Sequence, residues 1–313
     1  MTPDAIREAA VEDGGYETPE LNDTLYLHFR GFRKIEGLDE YTGLKALWLG
    51  SNGISVLEGL PQLSELRCLF VQQNLIASIG DGLAGLRSLV QLDLSENRLT
   101  RLDGLAHLPA LHTLNVAKNA LADAEAVVHL TECAALTNVD LSQNRLEGGA
   151  VLDVLRAVPA LVALTVAGNP FVTSVPHFRK ATIATMPRLR YLDRPVFEQE
   201  RLTAEAWAVG GAKAEQTARQ NCQQRRRDDD RRHMTEFREW QEQQRRKHQE
   251  ATATAAAAAA PAVAAAVAAA AVTTAAEKEE RRTVEWKQAA AADAEVERRL
   301  VREVGVARLG TRF

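Results

Sequence analysis

The sequence predicts an α/β solenoid: a horseshoe whose concave wall is one parallel sheet, followed by a helical or disordered C-terminal tail. The main observation is a pattern, Leu-x-x-Leu-x-Leu-x-x-Asn with Val at some apolar positions, that occurs six times at intervals of 22 to 25 residues. A degenerate first copy, containing Leu25 and Leu27, precedes these six. From about residue 198 the pattern is absent, and Glu, Arg, Gln and Ala dominate.

Each copy of the pattern predicts one short strand of a leucine-rich repeat, so residues 21–170 form about seven repeats. Alternate strand residues, such as Leu47 and Leu49, point inward. One repeat cannot bury its own apolar face, and stability therefore comes mainly from stacking against its neighbours. The asparagine ends the strand, and its amide is expected to bond backbone groups of adjacent repeats. The predicted ladder consists of Asn52, Asn74, Asn97, Asn119, Asn144 and Asn169.

The segments that return the chain to the next strand are short. Three of them share an apolar-acidic-Gly-Leu sequence: Ile35–Leu38, Leu57–Leu60 and Leu102–Leu105. Intervals of 22 or 23 residues leave no room for a full helix, so these returns are expected to be 3₁₀ or extended. The last two intervals are 25 residues long, and short helices are predicted there over residues 124–130 and 151–158.

An open stack of repeats exposes its core at both ends and needs a cap at each. Residues 1–20 are interpreted as an N-terminal cap or flexible segment, in which the acidic stretch around residues 5–11 would form the cap. Residues 171–198 are predicted to be the C-terminal cap, with a helix over residues 176–186 and a last strand that covers the seventh repeat. The cap residues expected to do so are Tyr191, Leu192, Asp193, Pro195 and Phe197.

One side chain between the two inward residues of each strand is expected on the concave face. Read across the repeats, these positions are Tyr26, Trp48, Phe70, Asp93, Asn115, Asp140 and Thr165, and Asp193 continues the row. Two interpretations compete. The three aromatic rings could stack on one another and only stiffen the sheet. Alternatively, they hold an apolar segment of a partner, as exposed aromatic residues do at interfaces, while Asp93 and Asp140 attract a basic flank.

The tail divides by composition into three parts. Residues 199–250 predict a charged, solvated helical segment with weak support for a coiled coil. Residues 251–276 are an alanine-rich linker; this stretch is uncharged, but without Leu, Ile or Phe and with Pro261 inside it a membrane span is disfavoured. Residues 277–313 carry a stripe that favours an amphipathic, partner-binding helix: Trp286, Ala289, Ala292, Val296, Leu300 and Val304.

We expect this chain to have no catalytic activity and to bind no metal or cofactor. The net charge of −4 gives no general attraction to nucleic acid. Phosphate-binding loops and the motifs of zinc or nucleophilic enzymes are missing from the sequence. Cys68, Cys133 and Cys222 form neither a CxxC pair nor a disulfide framework. We therefore expect no catalytic residue, no metal, no cofactor and no small-molecule substrate.

Several short strings resemble the axonemal dynein assembly factor of the leucine-rich-repeat type, over about residues 21–220. They are Leu25–Phe32, Lys34–Leu38, Glu40–Leu44, Leu47–Ile54 and Glu65–Phe70, and beyond the repeats Tyr191–Asp193, Arg194–Phe197 and Ala204–Gly211. The resemblance implies a scaffold that helps to preassemble dynein arms in the cytoplasm for the cilium or flagellum. It implies dynein chains, other assembly factors and chaperones as partners. Two alternatives remain open: a phosphatase-regulatory scaffold, and a stable axonemal component that docks on dynein or tubulin.

Overall fold

The computed structural model describes residues 1–60, 63–270 and 286–288. The chain divides into two compact units, Met1–Arg225 and Arg226–Phe313. The first unit is built on a sheet in which nine strands follow one another in chain order. The strands are β1 Thr24–Tyr26, β2 Ala46–Trp48, β3 Cys68–Phe70, β4 Gln91–Asp93, β5 Thr113–Asn115, β6 Asn138–Asp140, β7 Ala163–Thr165, β8 Tyr191–Leu192 and β9 Arg194–Pro195.

The repeat pattern determines the register of this sheet. β1 to β8 are parallel, and the first inward residue of each strand lies opposite that of the next, as Leu25 does opposite Leu47. These residues are buried at every strand, because alternate side chains of a strand point to the same face. The predicted horseshoe of leucine-rich repeats with a parallel sheet is therefore confirmed. Only β9, which pairs antiparallel with β8, departs from it.

The asparagine after each strand joins neighbouring repeats. At Asn97 the side-chain amide donates to the carbonyls of Val71 and Leu94, both at 3.0 Å, and its oxygen accepts the N–H of Ile76 at 3.1 Å. The other asparagines of the ladder repeat this arrangement with small variations. The residue before each one is left-handed, as Glu96 is with φ 56°, which turns the chain out of the strand.

The secondary structure of each return segment depends on the length of its repeat. A 3₁₀ turn forms at Leu105–His107 in a shorter repeat. In the longer repeats, α2 spans Ala124–Val127 and continues as a 3₁₀ helix over Val128–Glu132, and α3 spans Ala150–Ala157. The predicted helix over residues 124–130 thus changes type at residue 128.

Both ends of the stack carry a cap. α1 spans Pro3–Glu12 and buries Ile6, Ala9 and Ala10, while the Thr2 hydroxyl caps its first turn by accepting the N–H of Ala5 at 3.3 Å. At the other end, α4 spans Pro170–Ser174 and α5 spans Phe178–Thr185. The predicted helix over residues 176–186 starts later, because His177 is left-handed, and α4 was not predicted.

The position of Asp193 differs from its expected place in the exposed concave row. Its backbone is left-handed, with φ 54°, and its carboxylate accepts the N–H groups of Val166 and Ala167 at 2.7 and 2.9 Å. A carboxylate that accepts two main-chain N–H groups is occupied in holding β7 to the cap. Asp193 therefore closes this end of the sheet and does not extend the concave row.

The last long element, α6, spans Glu198–Ala270 with a non-helical backbone at Gly210 and Gly211. Apart from these two glycines, the predicted charged helix over residues 199–250 and the start of the alanine-rich linker thus lie in helical backbone. Residues 271–276 of the linker lie outside the described residues, as does the predicted stripe apart from Trp286, which is exposed. Among the described residues, no helix has the length and apolar character needed to cross a membrane.

Two ion-pair clusters connect the C-terminal cap to α6. Glu200 accepts from Arg179 at 2.6 Å and from Arg194 at 2.9 Å. Glu215, which is buried, accepts from Lys180 at 2.6 Å. The hydrogen bond from Arg179 lowers the pKa of Glu200, and the one from Lys180 lowers the pKa of Glu215.

We expect acid to loosen this connection. A glutamate whose pKa is lowered by folding contributes stability above its unfolded pKa of about 4.3, and that stability is lost as the pH falls further. Hydrogen exchange of α5, corrected for the intrinsic effect of pH, should therefore rise as the pH falls below about 4. In the variant Glu200→Gln with Glu215→Gln, the same helix should exchange with little dependence on pH. Equal pH dependence in both proteins would contradict this account.

Candidate protein-binding face

The concave face presents two outward residues from each repeat. The predicted row is in register across the seven repeats: Tyr26, Trp48, Phe70, Asp93, Asn115, Asp140 and Thr165. A second row lies two residues earlier in the chain: Thr24, Ala46, Cys68, Gln91, Thr113, Asn138 and Ala163. This second row was not predicted, although the same alternation of strand residues indicates it.

Three rings of the predicted row form an aromatic strip, which consists of Tyr26, Trp48 and Phe70. The ring centroids of Tyr26 and Trp48 are 5.9 Å apart, and those of Trp48 and Phe70 are 3.8 Å apart, with interplanar angles of 29° and 16°. Tyr26 keeps 40% of its surface exposed, and the other two residues are half-buried. The rings therefore stack on one another, as the first interpretation expects. Their outer surface also stays accessible, which the second interpretation requires.

The aromatic surface continues past the strip at the N-terminal edge. The ring of His28 lies edge-on to Tyr26 with centroids 6.3 Å apart, and Phe29 lies 5.4 Å from His28. Phe29 is 76% exposed, an unusual exposure for a phenylalanine. Phe29 takes the position of the left-handed residue that precedes the asparagine in other repeats, with φ 58°. Phe29 was not predicted as a surface residue, because only the strand positions of each repeat were assigned to the concave face and not the residue before the asparagine position.

The polar half of the predicted row is held in place by local hydrogen bonds. The carboxylate of Asp93 accepts the N–H of Ser95 at 2.9 Å and the amide of Asn115 at 3.0 Å. Asp140 accepts the N–H of Ser142 at 2.8 Å. These side chains line a shallow depression of about 300 Å³ that extends to Tyr191. Neither concave row contains Lys or Arg, so the two aspartates make this face negative.

The arrangement of side chains on the concave face suits protein binding better than catalysis. Asp93 and Asp140 are separated by β5, so they do not form a close carboxylate pair. The three cysteines are free thiols, and burial raises the pKa of Cys133 to about 11, far above that of a reactive thiol. Among residues 1–60, 63–270 and 286–288, no three His, Cys, Asp or Glu side chains are grouped so that they could hold a metal ion.

Comparison with known proteins gives relatives for the repeat region. A sequence profile described as "Leucine-rich repeat" matches residues 84–221. The chain is 42% identical over 225 residues to "Leucine-rich repeat-containing protein ODA7" of Chlamydomonas reinhardtii, covering 72% of this chain and 52% of that protein. It is 46% identical over 221 residues to human "Dynein axonemal assembly factor 1", covering 70% of this chain and 30% of that protein.

Among solved structures, an internalin from Listeria monocytogenes aligns with a TM-score of 0.46 and 21% identity, and 65% of each chain is covered. The chain spans about half the length of its Chlamydomonas relative and under a third of the human one.

The stacked parallel strands, the asparagine ladder and the matched profile define a leucine-rich-repeat protein, with a concave face suited to binding another protein. Within that class, about 70% of the chain is similar to an axonemal dynein assembly factor, the human protein, at 46% identity. The predicted resemblance to the leucine-rich-repeat type of these factors is therefore confirmed.

Proposed function

We propose that this protein is a non-enzymatic scaffold that helps to preassemble axonemal dynein arms in the cytoplasm, before the arms enter the cilium or flagellum. The observation that carries the proposal is the 46% identity, over 70% of this chain, with a human protein named as a dynein axonemal assembly factor. Axonemal dynein chains, other assembly factors and chaperones are the proposed partners. The cytoplasm and the cilium are the proposed compartments.

The concave face is the proposed contact with a client. Aromatic side chains that remain accessible on a protein surface are enriched in binding hot spots. The strip of Tyr26, Trp48 and Phe70 supplies such rings, and stacking holds them in one orientation before a partner arrives. Asp93 and Asp140 lie farther along the same row and favour a client whose apolar segment is followed by basic residues.

Removal of the gene should leave poorly motile cilia that lack dynein arms, because arms that are not preassembled do not reach the axoneme. Electron microscopy of axonemal cross-sections measures this directly, and re-expression of the full chain should restore the arms. Intact outer and inner arms in the deletion strain would refute the proposal. Fractionation adds a second check, since an assembly factor should be recovered mainly in the soluble cytoplasm and not in washed axonemes.

A further inference from the structure

A pocket lies beside β1, the strand at the N-terminal edge of the sheet. Its volume is about 200 Å³, and its walls come from the end of α1, the loop after it and β1 itself. Tyr16, Leu21 and Tyr26 line it and are exposed by 60%, 61% and 40%. Apolar side chains with this much exposure, grouped around one cavity, mark a surface suited to covering by another molecule.

The main chain of β1 has free hydrogen-bonding capacity next to this pocket. Leu27 donates its N–H to the carbonyl of Trp48 at 2.7 Å, so the backbone at residue 27 faces β2. In a parallel pair the residues that face the partner strand alternate, and Thr24 and Tyr26 therefore direct their N–H and C=O groups away from β2. Within the described part of the chain, no turn, loop or cap hydrogen bond engages the main-chain N–H of either residue. An edge strand in this state can accept another strand.

The loop that forms the outer wall of the pocket is held in one conformation. Asn22 is 3% exposed, and its side-chain oxygen accepts the N–H of Tyr16 at 2.9 Å. Its amide group donates to the carbonyls of Tyr16 and Thr18 at 2.9 and 3.0 Å. A buried amide with these bonds fixes the loop, so the pocket is present before any ligand binds.

The charge around the pocket selects the kind of ligand. Residues 1–23 contain seven Asp and Glu against one Arg. Asp13 and Asp23 line the pocket itself. Some of this charge is already neutralised, since Glu12 lies 2.6 Å from Arg30 and Asp23 lies 3.8 Å from the Lys45 ammonium. The remaining excess is negative and complements a basic segment.

We propose that β1 binds an extended segment of a partner protein, rich in lysine or arginine, as an additional strand of the sheet. Main-chain bonds to Thr24 and Tyr26 supply affinity, as in other cases of strand addition, and one apolar side chain of the segment enters the pocket beside Tyr26. Basic side chains of the segment contact the carboxylates around the pocket. This interaction does not depend on which client the concave face binds, nor on the proposed role in dynein assembly.

A synthetic peptide of alternating lysine and valine, eight residues long, tests the proposal on the full chain. Calorimetry should detect binding, and hydrogen exchange of the segment around residues 21–30 should slow when the peptide is present. A peptide of the same sequence with alternate main-chain nitrogens methylated cannot form the strand bonds and should bind at least about tenfold more weakly, a loss of about 1.4 kcal/mol. A glutamate–valine peptide should also bind at least about tenfold more weakly.

Two variants at one position separate the contribution of the main chain to peptide binding from that of the side chain. Thr24→Pro removes the outward N–H, which proline tolerates on an edge strand, whereas Thr24→Ala keeps it and removes the same hydroxyl. Thr24→Pro should reduce peptide binding about tenfold or more, and Thr24→Ala, which keeps the main-chain N–H, should reduce it far less. Equal binding by both folded variants, or protection of the other strands instead of β1, would overturn the proposal. If Thr24→Pro fails to fold, the methylated peptide provides the test. The proposal is also overturned if the methylated peptide binds as tightly as the unmethylated one.

Discussion

Replacing Gly104 with alanine should destabilise the repeat stack by about 2–5 kcal/mol. The backbone at Gly104 has φ 82°, where a Cβ atom costs about 1–2 kcal/mol. The added Cβ would also lie 2.1 Å from the carbonyl oxygen of Gly80 in the preceding repeat. Because the obstacle is backbone and not a flexible side chain, the two returns must separate, and forcing atoms into a filled interior typically costs about 1–3 kcal/mol more.

Gly148 provides the matched control for this prediction. Its φ of 83° is nearly the same, yet a Cβ atom there would meet no other atom within 4 Å. Gly148→Ala should therefore lower the free energy of unfolding by only the backbone term of about 1–2 kcal/mol. Urea denaturation of both variants measures the difference, which isolates the contact between neighbouring returns. Equal losses would show that the returns are not packed as closely as the structure places them.

The second large effect is expected at Asn97, in the middle of the asparagine ladder. In Asn97→Ala the buried N–H of Ile76 loses its acceptor, which costs about 1–3 kcal/mol. The carbonyls of Val71 and Leu94 each lose one of two donors, since Asn74 and Asn119 also bond them. With the space left by the removed side chain, the total loss should be about 2–4 kcal/mol.

Asn138→Ala serves as the control for the ladder. Asn138 is exposed on the concave face, where its amide donates to the hydroxyl of Thr113 at 3.3 Å. Its replacement should change the free energy of unfolding by no more than about 0.5 kcal/mol, as is usual for surface positions. A small effect at Asn97, similar to that at Asn138, would mean that water or a shifted backbone replaces the ladder bonds without loss.

The sequence was sufficient for those features that depend on the repeat period alone. Spacing from asparagine to asparagine aligns the strands, so the neighbours Trp48 and Phe70 were predictable from their positions in the pattern. Features that depend on how the chain turns outside the pattern were not. The left-handed backbone at His177 and Asp193 delays α5 and directs a carboxylate to the main chain just after β7. Nothing in the repeat period signals either turn.

The candidate binding surfaces also divide into those that the repeat pattern predicts and those that it does not. The aromatic strip follows from strand alternation, and so does the second concave row once alternation is applied on both sides of the inward leucine. The pocket beside β1 depends on the loop that Asn22 fixes, and this loop belongs to no repeat. The close approach of Gly104 to Gly80 depends on how neighbouring returns pack against each other, which the sequence of a single repeat does not reveal.

We propose that the aromatic strip captures a client in dynein assembly. The most direct test is affinity purification of the full chain from ciliated cells, with axonemal dynein chains quantified by mass spectrometry. We expect Trp48→Ala with Phe70→Ala to lose most of the dynein recovered by the unmodified protein while its melting temperature stays near that of the original. The control variant, Val56→Ala with Val128→Ala, trims two apolar side chains that are exposed by 54% and 40% outside the sheet, and it should keep full recovery. Undiminished recovery of dynein chains by the Trp48 and Phe70 variant would contradict the account.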